Sequence, residues 1–189
     1  LRLVGEARLR SGRPEDAIAV LIRASEVAPG RADLLADLGE AYAAAGDRQA
    51  AEAKLRAALE RDDAAVAART LLGRLLIDAG RLEEAEAELT AALDTLPSYG
   101  DAAFALVRLE RRRNRHDRAV NVLADFLMAD PYHRDGLVRL GAVLAEADRV
   151  AEAKEAFRRV LRIHPGDADA ETALEHLALA EDGARPVGA

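Results

Sequence analysis

A period of 34 residues constrains this chain more than any other feature of its sequence. Between Leu35 and Pro97 the pattern is stated twice. Leu38-Gly39, Tyr42, Gly46, Ala51, Leu55, Ala58 and Asp63 are answered, 34 residues on, by Leu72-Gly73, Leu76, Gly80, Ala85, Leu89, Ala92 and Pro97. Extended in both directions, the same ruler gives five copies. One position reads Gly5, Gly39, Gly73, Val107, Gly141, and a second reads Gly12, Gly46, Gly80, Asn114, Asp148. A third is Ala17, Ala51, Ala85, Ala119, Ala153, followed by Leu21, Leu55, Leu89, Leu123, Phe157 and then Ala24, Ala58, Ala92, Phe126, Val160. The closing position is Pro29, Asp63, Pro97, Pro131, Pro165. A unit this short cannot bury an apolar face alone, so the copies must stack on one another.

Each recurrent position has a physical reason. The apolar spacing of Leu34, Leu35, Leu38 and Tyr42 is helical. A glycine inside such a helix costs about 1 kcal/mol against alanine. It is tolerable where a second element comes close, and Ala51 is read as the matching small residue across from Gly39. Gly46 falls where the first helix must stop and the chain turn back. That left-handed position suits glycine best and Asn or Asp next, as at Asn114 and Asp148. The recurrent prolines end the second helix, and Pro14 opens one, where its missing N–H costs nothing. With aromatics at 3% and Ala and Leu carrying much of the apolar half, the core must be close-packed from small and mid-sized side chains, which favours helices over sheets.

These positions resemble the tetratricopeptide repeat, with its pattern of Trp, Leu-Gly, Tyr, Ala, Phe and Pro at the same period. Leu38-Gly39, Tyr42, Ala51, Leu55 and Ala58 match in the second copy; Leu72-Gly73, Ala85, Leu89, Ala92 and Pro97 in the third; Leu140-Gly141, Ala153, Phe157 and Pro165 in the fifth. The resemblance covers residues 1–167 and implies an all-α fold, a right-handed α-solenoid of antiparallel helix pairs. The expected units are 1–31, 32–65, 66–99, 100–133 and 134–167, followed by a capping helix at 168–181 and a disordered tail or linker at 182–189. The chain opens Leu1-Arg2-Leu3-Val4 without an initiator Met and is expected to be a piece of something longer, with the cytoplasm as the default compartment.

Composition and motifs argue against several function classes. A net charge of −7 disfavours nucleic acid and anionic membrane as partners. The absence of cysteine removes a disulfide framework and a thiol nucleophile. No apolar run reaches the roughly 18–20 residues of a membrane span, so direct insertion is not expected. His116, His133, His164 and His176 lie far apart with no ligand at helical spacing, and surface or capping roles are expected for them. No phosphate-cradling glycine loop or nucleophile elbow is present. The sequence is therefore read as non-catalytic, with no metal and no cofactor.

The fourth copy breaks the rule of the others. Val107 replaces the packing glycine, Glu110 stands where Tyr42 and Leu76 stand, and Phe126 replaces an alanine. Loss of a large apolar side chain at 110 is expected to make room for Phe126. The same copy carries a charge run, Arg108 to Arg118, with six arginines against Glu110 and Asp117. Such a run is either a solvated face or a site. If 103, 106, 107 and 110 face the partner helix, then 101, 104, 108 and 111 lie on another face, which in the family's architecture lines a concave groove. The same spacing brings in Glu40 from the second copy and Arg74 and Ile77 from the third. The candidate partner-binding residues are thus Arg74, Ile77, Phe104, Arg108, Arg111 and Arg112, flanked by Glu40.

Arginine over an apolar floor suits an acidic peptide or protein segment with an apolar anchor. Family members that bind chaperone tails clamp a terminal carboxylate with Lys and Asn. Here those positions are Ala36, Asp37, Glu40, Thr70, Leu71 and Arg74, so that clamp is absent. The resemblance implies an interaction scaffold, monomeric or weakly self-associating. Bacterial members with such repeats serve secretion, envelope assembly, motility or multiprotein scaffolding. The alternative is a regulatory or substrate-docking segment of a larger enzyme or secretion machine.

Overall fold

In the computed structural model the backbone is described for residues 1–184 and the side chains for residues 1–180. Among the described residues there are eleven helices and no strand. They come as pairs: α1 (Arg2–Arg10) with α2 (Pro14–Val27), α3 (Ala32–Ala44) with α4 (Arg48–Arg61), α5 (Val66–Asp78) with α6 (Leu82–Thr95), α7 (Gly100–Arg112) with α8 (His116–Ala129), and α9 (Arg134–Glu146) with α10 (Val150–Ile163). A last helix, α11, occupies Ala168–Ala184. The tail expected at 182–189 falls largely outside the described residues.

The turn within each pair is made the same way. Gly12, Gly46, Gly80, Asn114 and Asp148 all take positive φ, from 58° at Asn114 to 86° at Gly46. That conformation aims the next residue's N–H back at a carbonyl left open by the helix end. Asp47 donates to the Tyr42 carbonyl at 2.9 Å, Arg81 to Leu76 at 2.9 Å, Arg115 to Glu110 at 2.9 Å and Arg149 to Leu144 at 2.9 Å. This is the six-to-one bond that closes a helix C-terminus. Asn and Asp adopt the conformation in the fourth and fifth pairs, as the sequence leads one to expect.

The chain divides into two compact units, residues 1–105 and 106–189, with the boundary inside α7. In the first unit Leu21, Leu38, Leu55, Leu72, Leu76 and Leu89 are buried, with Ala17, Ala51 and Ala85 between the helices. The glycine of each first helix has a different partner from the one read in the sequence. A Cβ on Gly73 would lie 2.6 Å from Leu89 Cγ, and one on Gly39 would lie 2.6 Å from Leu55 Cγ against 3.3 Å from the Ala51 carbonyl. The glycine makes room chiefly for a leucine, not for an alanine.

In the second unit Leu109, Leu123, Phe126, Leu137, Leu144, Phe157 and Val160 are buried. Glu110 is buried with them at 1% exposure, so position 110 remains filled and does not vacate space for Phe126. That space comes from the following pair. A Cβ on Gly136 would lie 3.0 Å from Phe126 Cε1, and His133 meets the Phe126 ring edge-on at 5.0 Å. His133 also caps α9, its Nδ1 accepting from the Gly136 N–H at 3.1 Å. Beyond this, α11 packs on α10 and α9, with Ala170 fully buried.

Candidate functional site

On α7 one side is spent on packing and the other keeps its charges. On α7, residues 103, 106, 107 and 110 are buried, whereas 101, 108 and 111 are exposed and Phe104 is half-buried. The candidate residues fall in both units: Glu40, Arg74, Ile77 and Phe104 in the first, and Arg108, Arg111 and Arg112 in the second.

In the first unit α1 packs beside α3 and α3 beside α5, so positions one period apart form rows across the three helices. Glu6, Glu40 and Arg74 make such a row. Arg2 joins α1 to α3: its Nε donates to Asp37 at 2.5 Å, and it lies 3.2 Å from Asp33 and 3.3 Å from Glu6. Glu40 and Arg74 are exposed. Desolvation pushes the Glu40 carboxyl above the usual carboxylate range, Asp37, Glu6 and Asp101 add to the shift, and Arg74 opposes it. The Tyr99 phenol is also pushed up, by desolvation first and then by Asp101 and Glu40. Ile77 is a correction to the sequence reading. It is fully buried and offers a partner no surface. The same holds at position 70, where Thr70 is buried with its hydroxyl donating to the Val66 carbonyl at 2.8 Å.

In the second unit Arg108, Arg111 and Arg112 are exposed at the end of α7. The run from Arg108 to Arg118 is not a uniform basic patch. Arg111 Nε donates to Glu146 Oε2 of α9 at 2.8 Å, and its Nη2 donates to Oε1, a two-point pairing. Arg115 Nη1 stands 3.7 Å and Arg118 Nε 3.9 Å from the carboxylate of Glu110, neither close enough for a hydrogen bond. His116 Nε2 meets Asn114 Oδ1 at 2.7 Å, while its Nδ1 lies 3.7 Å from Glu146. An open surface cavity of about 400 Å³ is lined by Asn114, Arg115, His116, Asp117, Arg118 and Ala147.

Sequence reasoning missed Glu146 as a counter-ion, although a signal was present. It stands 35 residues after Arg111, one period plus one, and the pairs Arg2–Asp37 and Arg134–Asp169 share that spacing. Glu110 was read as an irregularity on the packing face of α7, but the approach of Arg115 and Arg118 to its carboxylate carries no sequence signature. Among the described residues no group of three His, Cys, Asp or Glu side chains converges to hold a metal, and no helix is long and apolar enough to cross a membrane.

The model of the tetratricopeptide repeat family matches residues 8–53, 42–110, 76–135 and 110–177. No curated protein matches the chain. Among solved structures, it resembles MamA at 20% identity with a TM-score of 0.71, over 87% of this chain and 96% of that one. It resembles pilF of Pseudomonas aeruginosa at 19% identity with a TM-score of 0.79, over 95% and 82%. It also resembles YrrB, described as a TPR protein with an unusual peptide-binding site, at 20% identity with a TM-score of 0.67, over 87% and 85%. At these identities the likeness is one of fold.

Proposed function

Since the chain belongs to the tetratricopeptide repeat family, whose fold generally serves protein–protein interaction, we propose that the exposed faces of its first helices bind a peptide or helix of a partner within a larger assembly. The observation that carries this reading is the division of labour on those helices. Residues 103, 106, 107 and 110 are consumed by the core, while 40, 74, 101, 108 and 111 hold charge toward solvent. Solenoid repeats present such faces as extended binding surfaces. The peptide-binding site ascribed to YrrB, a neighbour in fold, supports the same class of ligand.

For α7 the occupant is an acidic segment, met by Arg108, Arg111 and Arg112, with the half-buried Phe104 offering apolar contact. Arg111 is already satisfied by Glu146, so a partner carboxylate must exchange with that pair instead of meeting a bare guanidinium. This favours a modest, salt-sensitive interaction over a tight one. The reading is non-catalytic, as is typical of the family, and calls for no cofactor.

Comparative pull-down with the wild type and the Arg108→Ala/Arg111→Ala double variant identifies the partner, and titration follows. The variant is expected to bind about tenfold or more weakly and with a flatter dependence on salt, because exposed arginine contacts are screened by ions. Equal affinity and equal salt slope for the two proteins would remove the arginines of α7 from the binding face.

A further inference from the structure

We propose that the end of α8, the turn after it and the outward stripe of α10 form a second docking surface, whose occupant is an acidic segment of a partner protein with an apolar side chain between its carboxylates. The surface lies within the second compact unit. It uses none of the first-helix residues and stands or falls apart from them.

The chemistry changes at a register that the repeat otherwise keeps. Glu26, Glu60 and Asp94 hold one position in the first three copies, where the fourth has Met128 and the fifth Arg162. Tyr132 stands where the other copies carry Gly30, Ala64, Ser98 and Gly166. The core uses neither side chain: Met128 is 80% exposed and Tyr132 73%. Tyrosine, methionine and arginine are the side chains enriched where proteins meet one another.

The turn is fixed on both sides of Tyr132. The Pro131 carbonyl accepts from Arg159 Nη2 of α10 at 3.2 Å. His133 meets the Phe126 ring edge-on and caps α9. Tyr132 is therefore anchored through both neighbours, and its ring offers a large contact area at a small cost in conformational entropy.

Charge points to the occupant. Ala153, Ala156, Phe157 and Val160 turn one side of α10 into the core. Glu155, Arg158, Arg159 and Arg162 form a stripe on the other side. Arg162 donates to Glu155 at 2.9 Å and Arg159 to Pro131. Arg158 is exposed and makes no hydrogen bond or direct ion pair among the described residues. Three guanidiniums thus stand against one carboxylate, beside the turn that carries Tyr132. Carboxylates from outside balance the stripe, and the planar guanidinium takes them at two points. Asp125, one turn before Met128, and Asp130 flank the apolar pair. They oppose a broad layer of phosphates, which disfavours nucleic acid and anionic lipid. A peptide can set its carboxylates against the arginines alone and its apolar side chain against Met128 and Tyr132.

Met128 is the only methionine of the chain, so isotope labelling of its methyl group gives one NMR signal from this surface. The probe is a synthetic peptide of glutamates around a leucine, with a glutamine counterpart as the uncharged control. The glutamate peptide is expected to shift the Met128 signal saturably in the wild type and in Arg108→Ala/Arg111→Ala. It is expected to bind Tyr132→Ser, the residue of the third copy, and Arg158→Ala/Arg162→Ala about tenfold more weakly. Each variant is first checked for an intact thermal transition, and where one unfolds the wild-type shift decides. An unmoved Met128 signal, equal affinity for the two peptides, or unchanged affinity in both surface variants would overturn the inference. Binding lost only in Arg108→Ala/Arg111→Ala would leave the first-helix reading standing and remove this one. A Met128 signal that moves with phosphatidylglycerol vesicles or with the protein's own concentration, and not with the peptide, would make the surface a membrane face or a contact between copies and overturn the inference likewise.

Discussion

The third and fourth copies of the repeat share a backbone plan and differ in what they place at its key positions. In the third, Gly73 admits the Leu89 side chain, Leu76 fills the core, and Ala92 keeps the second helix slim. In the fourth, the same positions hold Val107, Glu110 and Phe126, all three buried. The turn is nonetheless identical: Arg81 donates to Leu76 and Arg115 to Glu110, both at 2.9 Å. The backbone device is thus independent of the core chemistry it joins. What varies is the cost of filling the interior. At these positions the third copy uses apolar contact alone, and its buried Thr70 hydroxyl is satisfied, whereas the fourth buries a carboxylate whose oxygens make no hydrogen bond.

The largest effect is expected where the regular copy is forced to imitate the irregular one. Gly73→Val places a branched side chain where even a Cβ would sit 2.6 Å from Leu89. A loss of about 2–3 kcal/mol in urea unfolding is expected, and an unchanged midpoint would show that the two helices part freely at this crossing. The reverse imitation, Glu110→Leu, is expected to stabilise. It replaces a poorly paired buried carboxylate by the residue found at 76 and 144, and buried ion pairs exchanged for apolar packing gain about 1–2 kcal/mol or break even. A clear loss of stability on that change would mean that Arg115 and Arg118 do more for Glu110 than their distances indicate.

The smallest effect concerns the face and not the core. Because the Glu40 carboxyl is raised in the folded protein, its protonated form favours the fold, and that contribution is lost as pH rises through the folded value. Glu40→Gln keeps the neutral form at every pH. The variant is expected to melt slightly above the wild type near neutrality and to converge with it in acid. A variant that melts below the wild type at neutral pH would show that ionised Glu40 has a stabilising partner in the fold.

Much of the fold was legible because the period exposes positions that must obey backbone geometry. Asn114 and Asp148 were readable as left-handed turn residues from their register with Gly46 and Gly80, and the buried face of α7 followed from helical spacing. The misreadings have separate causes. Gly39 was paired with Ala51 because a small residue was sought opposite a small one, and Phe126 with position 110 because its space was sought within its own copy. Leu55 proved the nearer neighbour of Gly39, and Gly136, which accommodates Phe126, belongs to the next copy, where the others carry Leu34, Ala68 and Ala102. The candidate face was legible only as a list of outward positions. Ile77 met the spacing rule and is buried, and the run of arginines looked unbalanced because Glu146, which pairs with Arg111, is brought to it by stacking of the next copy.

The pairs that stand one period plus one residue apart have a consequence for how such a chain can be rebuilt. Arg2 with Asp37, Arg111 with Glu146 and Arg134 with Asp169 each join a residue of one copy to a residue of the next, and Glu52 answers Arg81 across α4 and α6 at 2.8 Å. A copy cut out and moved elsewhere would carry turns that recur in every copy and a set of charges that fits one place. The units look like interchangeable modules in their turns and glycines, yet their order is written in the ions on their flanks. Shuffled copies of this protein would leave charges facing the wrong neighbours, and would set Phe126 against a side chain where Gly136 now stands.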